Sequence, residues 1–277
     1  GLVLRDLDFE VAPGELVACV GPVGAAKSSL LMAVLREMSP AGGGGGGSME
    51  VDGRLAYAAQ EPWIASGTIR DNILFGQPYQ KARYDAAVAA CALNKDLAAF
   101  DRGDLTIIGD RGVNLSGGQK ARVGLARVCY AAAQADIFLL DDPLSAVDPK
   151  VGNHLFAQVV CGALAGRTRL LVTHQLQYLR HPAVTRIAVL AQGRVVAQGT
   201  FAELEKDGIL SSEFLKEQQE EEGRAQAKKR GDGETDLKGI ALEIEGRRRS
   251  LTSAARAEGA ELAERERSFV APPSLSP

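Results

Sequence analysis

The stretch Glu15–Met38, ELVACVGPVGAAKSSLLMAVLREM, runs a continuous apolar segment through a glycine-bearing turn into a segment of helical spacing and length. Glu15–Gly21 reads as a strand buried on both faces and Lys27–Met38 as the helix that follows it. A strand of that kind belongs in a parallel sheet covered by helices, so the unit points to an α/β fold. The turn itself, GPVGAAKSS (Gly21–Ser29), comes close to the phosphate-loop pattern G-x-x-x-x-G-K-[ST]. Gly21, Lys27 and Ser28 stand where the pattern asks, while Ala26 replaces its second glycine. Phosphate binding there requires a concave run of backbone N–H groups at a helix N-terminus, a lysine, and a hydroxyl for Mg2+. Lys27 and Ser28 supply the last two. Taken alone, the fragment also fits a plain glycine turn before a helix.

Further strands are predicted at Arg54–Gln60, Ala135–Asp142 and Thr168–His174, with a hairpin over Thr185–Gly199 turning at Gln192-Gly193. Leu7, Phe9 and Val11 alternate with charged residues as in a half-exposed strand. Gly42–Gly47 reads as a flexible surface loop. Pro62 to about Ala135 is largely helical, with Ser66 or Thr68 as caps. That section interrupts the strand–helix alternation, so a separate helical subdomain (about 62–135) is expected. The predicted architecture is an α/β core with a parallel sheet, a helical subdomain and an antiparallel β portion.

The chain has 277 residues, 45% of them apolar and 24% charged, which suits a globular domain with a substantial core. A formal net charge of −3 gives no reason to expect nucleic acid as a partner. Cys19, Cys91, Cys129 and Cys161 lie far apart with no metal-ligand spacing, so reduced, mostly buried thiols in a cytosolic compartment are expected. No apolar run approaches the roughly 18 residues of a membrane span, and no signal peptide opens the chain. Without an initiator Met, the chain reads as a domain cut from something larger. Composition changes after about Phe214 into acidic and then basic blocks, with Phe269 as the single later aromatic. A domain over 1–220 followed by a disordered or linker tail over 221–277 is therefore expected. Within that tail, Arg247–Ser250 (RRRS) fits a basic-directed kinase site.

Two more motifs carry chemistry. IFLLD (Ile137–Asp141) would deliver an aspartate to the sheet's carboxyl edge, where ATP-binding P-loop proteins hold Mg2+. LSGGQ (Leu115–Gln119) opens a helical run; Ser116 can cap it, and Gly117 and Gly118 let its amides approach an anion. By themselves, these are equally a turn aspartate and a capped helix.

The order GPVGAAKSS, Gln60, LSGGQ, IFLLDD, LSAVD (Leu144–Asp148) and His174 resembles the nucleotide-binding domain of ATP-binding cassette (ABC) transporters over about residues 1–220. The stretches EPWIASGTIRDNILFG (Glu61–Gly76), GDRGVNLSGGQKARVGLARVCY (Gly109–Tyr130) and DDPLSAVD (Asp141–Asp148) are similar to the first such domain of the multidrug-resistance-associated subfamily. The resemblance implies a RecA-like P-loop NTPase core, ATP and Mg2+ as cofactors, and ATPase activity. It makes Gly21, Gly24, Ala26, Lys27, Ser28 and Ser29 the ATP-binding loop, with Ser28, Gln60 and Asp141 as Mg2+ contacts. His174 and Gln60 would sense the γ-phosphate, and Asp142 occupies the position of the catalytic base. Ser116 and Gly118 would contact an ATP held by a second cassette, and Asp148 would signal across that interface. Trp63, the single tryptophan, is either a core residue or, by its place in the EPWI match, a contact with the membrane domains of the same transporter; the resemblance puts the cassette on the cytoplasmic face of a membrane. The family's adenine-stacking aromatic would lie before Gly1.

Two positions depart from the family. The base is a glutamate there and Asp142 here, one methylene short of the attacking water, and small misplacements are costly to catalysis. That shortening is itself typical of the subfamily's first domain, where ATP is bound but turned over poorly. Ala26 is not prescribed and is expected to weaken nucleotide binding. A mainly non-hydrolytic module gating a channel or regulating a membrane partner is the alternative function. A soluble ABC protein would need a twin cassette or long coiled coils, which this sequence lacks.

Overall fold

A computed structural model of the chain describes residues 3–39, 47–109 and 114–210. In chain order the elements are β1 (Leu16–Val20), α1 (Lys27–Val34), β2 (Leu55–Ala58), β3 (Gly67–Thr68), α2 (Ile69–Leu74), α3 (Lys81–Ala90), α4 (Asn94–Ala99) and β4 (Ile107–Ile108). There follow α5 (Gly117–Ala131), β5 (Ile137–Asp141), α6 (Pro149–Leu155), β6 (Thr168–Val172), β7 (Arg186–Ala191), β8 (Arg194–Gly199) and α7 (Phe201–Lys206). A π-helical stretch, Phe156–Ala163, continues α6. The described residues all belong to one compact unit, Gly1–Glu221.

The main sheet has the order β2-β5-β6-β1-β7-β8, parallel except for β8, which pairs antiparallel with β7. β1 is fully buried, as its unbroken apolar run requires. Val17 and Cys19 join Leu30 and Leu31 of α1 in one cluster, while Ala18 and Val20 enter another with Ile187 and Leu204. Period-two alternation thus feeds both faces of the sheet. The register pairs Asp141 with Val172, and Val172 with Cys19. Three strands therefore end together, delivering Gly21, Asp142 and Thr173 to one carboxyl edge. In open α/β sheets, that edge is where ligands bind.

The helical section shares a core with the sheet: Ile69, Tyr84, Val88 and Leu125 cluster with Phe138, Leu140 and Phe156. Thr68, not Ser66, caps α2, forming a capping box with Asp71. The section also contains a two-stranded antiparallel ladder, β3 with β4. At the β7–β8 hairpin, Gln192 and Gly193 have φ of 50° and 76°, the pair of positive values a type I′ turn needs. The four cysteines are free, three of them buried and Cys161 partly so.

Leu7, Phe9 and Val11 do not form a strand. Their side chains pack on the cluster that holds Val17 and Cys19, but the segment joins no ladder among the described residues. Period-two burial needs an extended backbone, not a hydrogen-bonded neighbour. α1 stops at Val34, earlier than the Met38 expected from spacing, and Arg36 takes a left-handed φ of 61°. The expectations for Gly42–Gly46, for the segment beyond Leu210 and for Ser250 lie outside the described residues. Among the described residues, no helix is long and apolar enough to cross a membrane.

Candidate functional site

The loop between β1 and α1 is shaped by glycine at two points. Gly21 has φ 152°, and a Cβ there would come within 2.0 Å of the Leu190 carbonyl oxygen. Gly24 has φ 82° with nothing within 4 Å of a Cβ, so its side of the loop is open. Ala26 occupies the N-cap of α1 at φ 74° and ψ 29°. It retains the left-handed conformation suited to the glycine it replaces, at a cost of about 1–2 kcal/mol.

Lys27 is buried, and its Nζ donates to the carbonyls of Gly21 (2.6 Å) and Pro22 (3.0 Å). Burial lowers its pKa, against the pull of Cys19, Asp142 and Asp141. Ser28 Oγ donates to Asp141 Oδ1 at 3.1 Å, and the Tyr57 hydroxyl donates to Asp141 Oδ2 at 3.3 Å. Burial raises the pKa of Asp141, opposed by those two hydrogen bonds and by Lys27. The Tyr57 phenol is pushed up to about 12 by burial and by the adjacent carboxylate. Ser29 lies in the first turn of α1.

Asp142 is buried at φ 43°, and its Oδ1 has no hydrogen-bond partner among the described residues. Burial lifts its carboxyl to about 6, with the His174 backbone N–H and Lys27 pulling the other way. His174 is half-buried, its pKa pulled down to about 4 by burial and then by Lys27, so the imidazole is neutral at neutral pH. Lys27, Ser28, Asp141, Asp142 and His174 thus gather at the carboxyl edge. Gln60 lies two residues beyond β2, exposed, and makes no hydrogen bond to this group.

Ser116 and Gly118 form a second centre. Ser116 Oγ accepts from the Gln119 N–H at 3.2 Å while Gln119 Oε1 accepts from the Ser116 N–H at 2.9 Å, a closed capping box at the start of α5. A Cβ on Gly118 would lie 3.2 Å from the Ala146 carbonyl, so this glycine lets α5 approach the Leu144–Asp148 segment. Asp148 caps α6, accepting from the N–H groups of Lys150 and Val151. No hydrogen bond or ion pair joins this centre to Lys27, Ser28 or Asp141 among the described residues.

Several participants went unseen in the sequence. Asp96 of α4 accepts from Gln119 Nε2 at 2.9 Å and is ion-paired with Arg122, locking the capping box from outside. Arg127 donates to the carbonyls of Trp63 and Asn72 and stacks over Phe75. Gly124 admits Pro62, whose Cβ lies 2.7 Å from where a glycine Cβ would be. Tyr57, Trp63, Phe75, Gly124, Arg127 and Val128 line a groove of about 480 Å³. Trp63 is 65% exposed and meets Phe75 edge-on, so it is no core residue. The EPWI motif was the available signal for this surface; the others had none.

The donor set suits Mg2+ together with a phosphate ligand. Among the described residues, no three His, Cys, Asp or Glu side chains converge to hold a metal unaided. A hydroxyl and a carboxylate, Ser28 and Asp141, are hard oxygen ligands of the kind Mg2+ takes when phosphate oxygens complete its shell.

A family model described as ABC transporter matches residues 4–145. ATP-binding cassette sub-family C member 4 of Mus musculus is 55% identical over 218 residues, covering 79% of this chain and 16% of that protein. ABC transporter C family member 3 of Arabidopsis thaliana is 46% identical over 78% of this chain and 14% of its own length. Multidrug resistance protein mrp-7 of Caenorhabditis elegans is 47% identical over 77% and 14% respectively. The chain spans 14–16% of the length of these curated relatives. A chain with this parallel sheet, this phosphate loop and these relatives belongs to the ABC transporter family, and within it resembles the multidrug-resistance-type proteins of subfamily C.

Proposed function

We propose that residues 1–220 form an ATP-binding cassette that holds Mg2+ and ATP on its own phosphate loop and completes a second ATP site on a partner cassette. The observation that carries this reading is the Ser28–Asp141 hydrogen bond beside the buried Lys27 ammonium, at the carboxyl edge of the parallel sheet. Lys27 would exchange the Gly21 and Pro22 carbonyls for β- and γ-phosphate oxygens. Gly21, Gly24 and Ala26 would present backbone amides, and Ser29 would add a hydroxyl. Ser28 and Asp141 would hold Mg2+, with Gln60 and His174 facing the γ-phosphate. Bound there, Mg2+ neutralises phosphate charge and orients the transferring group.

Asp142 supports slow turnover at this site. Its carboxylate is one methylene shorter than the family's glutamate, and it is buried. Ser116 and Gly118, exposed and partly exposed at the start of α5, would contact the partner's nucleotide. The open groove beside Trp63 and Phe75 would receive the membrane domains of the same transporter, at the cytoplasmic face of the membrane, with ATP turnover driving export. Residues 221–277 would serve as a charged linker.

Titration of the full chain with ATP in the presence of Mg2+ tests the reading. Lys27→Ala should weaken binding by roughly tenfold or more, since it removes a charge-assisted contact of about 1.5–3 kcal/mol. Equal affinity in the two proteins would contradict it.

A further inference from the structure

Both oxygens of Asp141 are held by side chains. Oδ1 accepts from Ser28, the hydroxyl that follows the phosphate-loop lysine, and Oδ2 accepts from Tyr57. The second bond follows from the sheet. Tyr57 on β2 is paired in register with Leu139 on β5, two residues before Asp141. Residues 139 and 141 share a face of the sheet, and Tyr57 shares it with them. The ring packs on the cluster that contains Leu139, and from there its hydroxyl reaches one residue pair further, to the carboxylate at the strand's end.

A free aspartate can rotate about two side-chain bonds, and a ligand that needs one orientation must first remove that freedom. Ser28 alone leaves Oδ2 able to swing about the Oδ1 contact. The geometry points to Tyr57 as the positioning residue for the Mg2+-binding carboxylate: its hydroxyl fixes Oδ2, and so turns Oδ1 toward Ser28 before the metal arrives. Ring and hydroxyl have separate tasks here. The ring is packing, and a phenylalanine would supply it; the hydroxyl is the only part of Tyr57 that touches the site.

This assignment rests on the nucleotide reading above, and one calorimetric titration separates the two. The full chain is titrated with ATP, once with Mg2+ and once with EDTA. If Mg2+ does not tighten ATP binding to the unaltered chain, the nucleotide reading itself fails. If it does, Tyr57→Phe should weaken binding with Mg2+ by roughly three- to tenfold, a fraction of the full worth of a hydrogen bond to a carboxylate, because the bond is present in the free chain as well. Binding in EDTA should stay within about twofold, because no metal then draws on Asp141. Unchanged or tighter binding with Mg2+ would overturn the assignment. So would an equal loss in both buffers, which is what a packing role for the whole side chain produces.

Discussion

Arg127 donates to the Trp63 carbonyl over 3.0 Å, tying the middle of α5 to the segment that follows Gln60. The same guanidinium donates to the Asn72 carbonyl at 2.9 Å and lies 4.3 Å over the Phe75 ring. The helix that opens at Ser116 is thereby fastened to the aromatic patch beside the groove. Arg127→Ala removes three hydrogen bonds, one of them a long contact to Asn72 Oδ1, and a cation–π contact, and should lower unfolding free energy by about 2–3 kcal/mol. Arg127→Lys should recover little, since one ammonium cannot reproduce the planar fork. Urea unfolding checks both; a wild-type midpoint for Arg127→Ala would show that the contacts contribute nothing.

Ala26 carries a left-handed backbone with a Cβ attached. Strain of this kind lowers the stability of the fold, and enters ATP affinity only as far as the free and bound loops differ at this residue. Ala26→Gly relieves about 1–2 kcal/mol of it. Glycine's larger unfolded-state entropy returns about 0.4–1 kcal/mol. A net stabilisation of about 0.5–1 kcal/mol is expected, or roughly 2–4 °C of melting temperature for each kcal/mol in a chain of this size. A lower melting temperature would show that the methyl packs usefully. A tighter Mg·ATP dissociation constant in the same variant would show that the loop moves on binding.

Asp142 makes stability depend on pH. Its carboxyl titrates near about 6 folded against 3.8 unfolded, mainly through burial. Below about 4 both states hold the proton and burial carries no penalty. Between about 4 and 6 only the folded chain stays protonated, so stability falls as pH rises. Above 6 the full penalty persists, about 2–3 kcal/mol. Asp142→Asn removes the charge, and asparagine tolerates the φ of 43° better than most residues. The variant should be more stable than wild type at neutral pH by about 1–3 kcal/mol. That gain should shrink as pH falls through 6 toward 4. Thermal melts across that range check it; a gain independent of pH would place its origin in the backbone alone.

Much of the site was legible because its elements are local. β1 announces itself as an apolar run buried on both faces, and the turn after it must be glycine where Leu190 approaches. Lys27, Ser28 and the Ser116–Gln119 box are adjacent in sequence to the backbone they serve. What escaped depends on partners far away. Tyr57 looks like any strand residue in RLAYAAQ until Asp141, 84 positions on, comes to its hydroxyl. Asp96 lies in a short helix with no motif, and its partners Gln119 and Arg122 are 23 and 26 residues distant. Gly124 would pass for a weak point in an amphipathic helix, yet it is where Pro62 packs. Leu7–Val11 misled for the converse reason: a pattern of burial carries no information about a hydrogen-bonded neighbour.

The proposed function is asymmetric: this chain would bind ATP at a slow site of its own and would serve, through Ser116, a faster one on a partner. Steady-state ATP hydrolysis by the chain assembled with a second cassette that has its own glutamate base measures it most directly. A working base is worth about a hundredfold or more. Ser116→Arg, which would set a bulky cation against the partner's nucleotide, should reduce turnover by roughly tenfold or more. Asp142→Asn should change turnover by less than about twofold, because little of the flux would pass through that carboxylate. Turnover abolished by Asp142→Asn and spared by Ser116→Arg would invert the asymmetry and make this chain the owner of the working site.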